Sequence, residues 1–394
     1  MKFLPILLLT IQFITFGKAK YNSNQSTKSQ HQFCDTIPFE YVSNKIIVRV
    51  KINGQIKRYI FDTGAISCIS EKIQDDMKNS VIDATFLIDQ SGIRKHVSIV
   101  SVQELSLGEL TFENFPAAVI NIENTGLVTC LDYDGIIGSN LLNNCIVTID
   151  VDKKYIVLTN DIKKINLVNA YQTNLILDNQ NSPYIQLSLN NAIKFNALFD
   201  SGASDFVSVP NKFYHKTMKN GISKVLNQGY GVGAIGAFSI EKAHHKKRII
   251  YRNIKFGSNE IIDFVAEVSD KTQSSIGMEL ADYGTITIDF INKHFYFKAK
   301  QQKQVYKHQK TLGFTFEPKA NYYMIGTVWT GTYAEKIGLK RGFQILKLDS
   351  LDLSERTMEL DCKLLLSSPL NKKNIKMTYK DNNDLIKVAS LTEE

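Results

Sequence analysis

At 394 residues the chain is longer than a single hydrophobic core usually spans, so two or three domains are expected. Its 43% hydrophobic and 22% charged residues are the balance of an ordinary folded chain, which excludes wholesale disorder. The 47 Lys and Arg against 39 Asp and Glu leave a formal charge of +8, spread along the chain apart from His244-His245-Lys246-Lys247-Arg248. No basic stripe interleaved with aromatics is present, which argues against nucleic acid as a partner.

Residues 1–19 combine Lys2, an apolar run from Phe3 to Phe16 and a small-residue end at Gly17-Lys18-Ala19, the pattern of a secretory signal peptide. The run is shorter than the roughly 20 apolar residues of a membrane span, so no stable membrane span is expected after cleavage. A secreted or periplasmic protein follows as the expectation. Residues 20–34, rich in Asn, Ser and Gln, read as a disordered leader. Of the five cysteines, Cys34, Cys68, Cys130 and Cys145 lie in the first half and Cys362 near the end. An odd number cannot all pair internally, and the first four allow three pairings. No Cys-x-x-Cys points to zinc. Cys68 reads as buried apolar filler.

Onward the chain is rich in alternating Val, Ile, Phe and Tyr, which predicts a mainly β fold. Val48 to Ile52 leads through Asn53-Gly54, a strong hairpin signal, to a strand ending at Asp62. A polar span follows to about Val81, then a hairpin with its tip at Asp89-Gln90-Ser91-Gly92. Strands are expected at 105–108 and 115–120, a short helix at 139–144, and a closing hairpin turning at Asp152-Lys153-Lys154.

The second half repeats this order. Phe61-Asp62-Thr63-Gly64-Ala65 returns as Phe199-Asp200-Ser201-Gly202-Ala203. Asp62 to Gly138 spans 76 residues and Asp200 to Gly277 spans 77; Asp62 to Asp150 spans 88 and Asp200 to Asp289 spans 89. The Gly-rich stretch Gly229-Tyr230-Gly231-Val232-Gly233 takes the place of the Gly92 tip. Residues 35–160 and 170–300 therefore read as two copies of one β lobe. An acid at the end of a strand, before a Gly turn, suits a cleft better than a core. Two of them in matching contexts suggest one shared site.

Two carboxylates a few ångströms apart cannot both ionise cheaply, so one proton serves the pair and the site holds a general acid and a general base. Such a pair can activate a water against a carbonyl carbon without metal or organic cofactor. His96, His215 and His294 are scattered, and His244 and His245 point to opposite faces of a strand, so no metal site is expected. Asp205, five residues beyond Asp200, stands where the first half has Ser67.

The Asp-Thr/Ser-Gly-Ala motif with its later hydrophobic-Gly turn, present in both halves, resembles the aspartic proteases over about 260 residues. Two lobes on one chain are similar to the pepsin-like enzymes, while Asp-Thr-Gly-Ala and the compact lobes look more like retropepsin-type proteases in tandem. The resemblance implies a fold of two pseudo-symmetric acid protease lobes. It also implies Asp62 and Asp200 as the catalytic pair, with Thr63 and Ser201 joining the two loops and Gly64 and Gly202 admitting substrate backbone. Gln90, Ser91 and Gly92 in one half and Tyr230, Gly231 and Gly233 in the other become flap candidates, although neither carries the aromatic-Gly pattern of the pepsin-like flap. Ala65 and Ala203 stand where pepsin-like enzymes usually place a hydroxyl, so the dyad is expected to keep its shared proton to higher pH.

Residues 301–311 are polar and read as a linker. From 312 on, Leu312-Gly313-Phe314, the strand Met324 to Trp329, and Ala334-Glu335-Lys336-Ile337-Gly338-Leu339 through Ile345-Leu346 resemble a PDZ domain of the bacterial type, a small α+β module spanning 312–394. A helix over 355–366 with Met358, Cys362, Leu365 and Leu366 inward is expected. The resemblance implies a loop at Leu312, Gly313 and Phe314 able to receive a peptide C-terminus. The sequence thus points to a monomeric, secreted or periplasmic aspartic endopeptidase acting on polypeptide. A peptide-binding protein of the same architecture without turnover is the alternative.

Overall fold

The computed structural model describes residues 8–9, 14–16, 32–89, 92–122, 126–235, 240–270, 272–308, 311–366 and 374–392. The fold is mainly β, as expected from the alternating pattern. Among the described residues no helix is long and apolar enough to cross a membrane.

The first half is built on the hairpin Lys45–Ile52 and Gln55–Asp62. Asn53 and Gly54 take φ of 50° and 73°, the left-handed pair that a two-residue turn between right-twisted strands requires. This turn sets the register from Ile52 opposite Gln55 to Ile47 opposite Ile60. The strand Gly135–Gly138 then runs parallel to Gln55–Asp62 and brings Gly138 opposite Asp62. In the second half, Pro183–Leu189 and Ile193–Asp200 form the matching hairpin, and Ser274–Gly277 runs parallel to the latter with Gly277 opposite Asp200. Each acid therefore ends a strand that is held on both sides.

The halves meet in an antiparallel sheet where Ile146–Asp150 pairs with Gly284–Asp289. Thr148 lies opposite Thr287 with their hydroxyl oxygens 2.8 Å apart, so the residues aligned by sequence spacing face each other across the junction. One apolar core runs through both halves, taking Val147, Ile149 and Phe61 from the first and Phe199, Ile286 and Ile288 from the second. Burying each such side chain contributes about 1.5–3 kcal/mol, so the junction is a core and not a loose contact.

Several expectations change. The polar span after the first acid contains a helix, Glu71–Met77, capped by the Ser70 hydroxyl accepting from the Ile73 amide and burying only Ile73. With seven residues it is too short to display helical periodicity. The expected helix at 139–144 is one 3-10 turn, Ser139–Leu141. Inside the expected linker, Lys303–Val305 forms a strand parallel to Glu260–Ile262, and Tyr306 is buried against Phe206 and Tyr283. Cys34 opens the strand Cys34–Pro38, which pairs with Tyr155–Thr159. Most of the expected leader lies outside the described residues. Within residues 1–19, Leu8–Leu9 pairs with Ala234–Ile235 and Ile14–Phe16 with Phe86–Ile88.

The last part forms a sheet in the order Phe314–Pro318, Tyr323–Val328, Gln344–Leu348, Asn374–Lys380 and Ile386–Thr392, with Tyr333–Lys336 as a single helical turn. The helix Met358–Leu366 turns Asp361, Leu364 and Leu365 inward and leaves Met358 half exposed. Its buried face is rotated from the expected one because Asp361 is held by the Arg356 guanidinium at 2.7 Å and the Tyr323 hydroxyl at 2.8 Å.

This part is joined firmly to the rest. Cys362 forms a disulfide with Cys130, a pairing outside the three considered from the first-half cysteines. Cys34, Cys68 and Cys145 are free thiols, and Cys68 is buried as filler.

Candidate active site

Asp62 and Asp200 end their strands at the junction of the two halves, fully buried. Each carboxylate accepts the amide N–H two residues on: Gly64 donates to Asp62 at 2.9 Å and Gly202 to Asp200 at 2.8 Å. Each glycine also faces the opposite acid. A β-carbon on Gly202 would lie 2.1 Å from the Asp62 carboxylate, and one on Gly64 would lie 2.6 Å from that of Asp200. Any side chain there would displace a carboxylate, and that is the physical reason for glycine at both positions.

The loops are tied across the junction by their hydroxyl residues. The Thr63 amide donates to the Ser201 hydroxyl at 2.9 Å and the Ser201 amide to the Thr63 hydroxyl at 3.0 Å. The same hydroxyls donate onward, Thr63 to the Phe199 carbonyl at 2.8 Å and Ser201 to the Phe61 carbonyl at 2.9 Å. Four reciprocal hydrogen bonds thus satisfy buried groups of both loops and fix the separation of the acids.

Burial, first, and then the neighbouring Asp200 charge push the Asp62 carboxyl well above the ordinary carboxyl value of 3.8. A hydrogen bond with Asp200 acts in the same direction, while Lys45 and the Gly64 amide oppose it. Such a pair retains a proton where an exposed aspartate would have lost it. Ala65 and Ala203 are buried and offer no side-chain donor.

Lys45 is a component that sequence reasoning missed. Its side chain is fully buried, and its ammonium donates to the Gly202 carbonyl of the opposite loop. Continuing the hairpin register two residues beyond the Ile47 and Ile60 pair sets Lys45 across from Asp62. Counting back from the Asn53-Gly54 turn would have found it. Beside it, the Asn44 amide donates to the Ser204 carbonyl at 3.0 Å and the Ser204 hydroxyl to the Ser43 carbonyl at 3.0 Å.

Of the flap candidates, Gln90 and Ser91 lie outside the described residues. Gly92 has φ of 78° and donates to the Asp89 carbonyl at 3.0 Å, closing the turn between Val81–Ile88 and Arg94–Leu107. In the second half, Ser223–Gly231 is a strand paired with His244–Phe256, so the glycines at 229 and 231 do not form the expected turn. Their reason is crowding: β-carbons there would lie 2.6 Å from Thr327 and 1.9 Å from the Gly326 carbonyl of the C-terminal sheet. Tyr230 is half exposed with its ring edge-on to His245, and the Gly233 amide donates to Glu241.

The C-terminal sheet grips this region. The hydroxyls of Thr315 and Thr327 both donate to the Val232 carbonyl, at 2.7 and 2.8 Å. Gln228 and Thr330 exchange two hydrogen bonds, at 3.0 and 2.8 Å. Val232 and Leu365 share a buried cluster with Ala65 and Ile66 of the first acid loop and with Leu87 and Val97 of the strands Val81–Ile88 and Arg94–Leu107. At the expected peptide loop, Leu312 and Phe314 are buried, and the Gly313 amide already donates to the Thr311 hydroxyl at 3.0 Å.

Among the described residues no cluster of three or more His, Cys, Asp or Glu is arranged to hold a metal ion. A comparison with protein families matches residues 48–141 to a family described as aspartyl protease. A search of curated proteins finds no match. The matched stretch contains Asp62 and Gly138, and it supports an aspartyl protease family and a protease function for the chain.

Proposed function

We propose that the protein is an aspartic-type endopeptidase in which Asp62 and Asp200 act as one catalytic unit on polypeptide substrates. What carries this reading is the opposition of the two buried carboxylates, each within reach of the other loop's glycine and tied by the Thr63 and Ser201 bonds. One carboxylate, ionised, takes a proton from a water as the water attacks the scissile carbonyl carbon. The other, protonated, gives its proton to the carbonyl oxygen, and collapse of the tetrahedral adduct expels the amine with a proton returned from the dyad. Rigid placement of both acids supplies the orientation the attack needs.

The remaining residues take supporting roles. Gly64 and Gly202 leave room for the carboxylate of the opposite acid, and substrate backbone lies beside the pair under one of the two candidate flaps. The region 312–394, with its strand and helix order similar to a PDZ domain, serves as a docking module that also braces the second flap. Residues 1–19 direct the chain across a membrane, giving a secreted or periplasmic monomer that works without a cofactor.

The test is incubation of the mature protein with unfolded protein substrates across a pH series, with and without a transition-state peptide mimic. Internal cleavage that the mimic blocks is the expected result. Absence of cleavage at every pH, with the fold intact, contradicts the proposal.

A further inference from the structure

The two halves match at the acid loops but differ at one buried position next to them. Hairpin register sets Lys45 across from Asp62, and the same register in the second half, with Tyr184 opposite Leu198, sets Ser182 across from Asp200. Both residues are buried, so the duplicated architecture receives an ammonium on one side and a hydroxyl on the other. The lysine head is not at the surface of its own half. It reaches over the junction to the Gly202 carbonyl, and Gly202 packs directly on the Asp62 carboxylate. The Ser43, Asn44 and Ser204 bonds anchor the turn that carries it, and the Ser43 hydroxyl reaches the Leu365 carbonyl at 3.2 Å, linking the turn to the C-terminal module.

We infer that Lys45 is a positioning residue that sets the working pH range of the dyad, its buried ammonium stabilising the negative charge the acid pair must carry to act as a base. This rests on the aspartic protease reading above. A buried lysine without an anionic neighbour is costly, whereas beside a carboxylate pair that shares one proton it meets a net charge of opposite sign. Burial pushes the Tyr41 phenol, the Cys68 thiol and the Tyr184 phenol upward, with the charges of Glu279, Asp62 and Asp178 respectively adding to it, so these groups stay neutral where the dyad titrates. The ammonium opposes the effect of burial, which alone favours two neutral acids. Because the pair titrates as a unit, the lysine acts on both of its macroscopic steps and belongs to neither acid alone.

The experiment compares full-length wild type with Lys45→Gln, Lys45→Met and Lys45→Arg by pH profiles of kcat/KM on a peptide substrate, alongside thermal melting. Gln keeps a donor for the Gly202 carbonyl without charge, Met keeps neither, and Arg keeps the charge. Both limbs of the bell should move to higher pH by about one unit or more in Gln and Met, and remain near wild type in Arg. Limbs of the folded Gln and Met variants that coincide with wild type overturn the inference. So does failure of both neutral variants to fold while Arg folds, since the lysine is then structural. Asp62→Asn is run in parallel: if it cleaves as well as wild type, the protease reading fails, a result separate from any outcome at Lys45.

Discussion

Cys130 and Cys362 are joined by a disulfide across 232 residues of sequence, fastening the last helix of the chain to the first half. Together with the Thr315 and Thr327 bonds to Val232 and the Leu365 contact beneath the first acid loop, it makes the C-terminal module a brace. A flexible tether would leave the two parts independent. Replacing both cysteines by Ser should therefore lower stability by about 2–5 kcal/mol, read by chemical denaturation with the wild type under oxidising and reducing conditions as controls. Equal stability of the pair in oxidising buffer contradicts the brace.

The same contacts predict the consequence of truncation. Deleting residues 312–394 removes both donors to the Val232 carbonyl and uncovers Gln228 and the glycines at 229 and 231. If the protein is the proposed protease, hydrolysis of short peptides should collapse along with that of long ones, because the strand Ser223–Gly231 loses its support. A truncated protein that melts like the parent and keeps short-peptide turnover would show that the module is independent after all.

Thr63 and Ser201 offer a test of the junction. Thr63→Val leaves the Ser201 amide and the Phe199 carbonyl without their partner, and Ser201→Ala does the same to the Thr63 amide and the Phe61 carbonyl. A loss of about 1–3 kcal/mol is expected for each, measured by denaturant unfolding. The double variant should lose less than the sum, because the two hydroxyls serve one network. Full additivity would mean that the loops are held by something else.

Asp62 gives a stability prediction whose sign follows from its environment. Its carboxyl is raised above the ordinary 3.8, chiefly by burial and secondly by the Asp200 charge. For a carboxyl raised in this way the folded state binds the proton more tightly than the unfolded chain. Its contribution is fully present below the unfolded value and is lost as pH rises from about 3.8 through the folded value. Asp62→Asn, which cannot ionise, should gain stability over wild type as pH rises above about 4, and the gap should close in more acidic solution. Parallel stability curves of the two proteins would contradict the raised carboxyl.

Much of this was legible in the chain itself. The repeated Asp-Thr/Ser-Gly-Ala placed both acids, the Asn53-Gly54 turn fixed the register leading to Asp62, and spacings that differ by one residue aligned Thr148 with Thr287, which face each other in the fold. The remainder depends on contacts with no local signal. Glu71–Met77 buries a single side chain and so has no period to detect. The glycines at 229 and 231 look like turn residues until the strand Tyr323–Val328 is seen pressed against them. Lys45 heads a strand whose other residues are apolar or exposed; counting back from the Asn53-Gly54 turn sets it across from Asp62, but its reach to the Gly202 carbonyl depends on the meeting of the two halves. Alanine at 65 and 203 leaves those two positions without a hydroxyl, whereas the raised carboxyl comes first from burial, which composition does not display.

The most direct measurement is kcat/KM on a cleaved peptide for Asp62→Asn, Asp200→Asn and the double variant, with each fold checked by melting. Both single variants should fall by about a thousandfold or more and by similar amounts. The double variant should fall little further, because the two carboxylates act as one unit. A folded single variant that keeps substantial turnover would contradict the dyad.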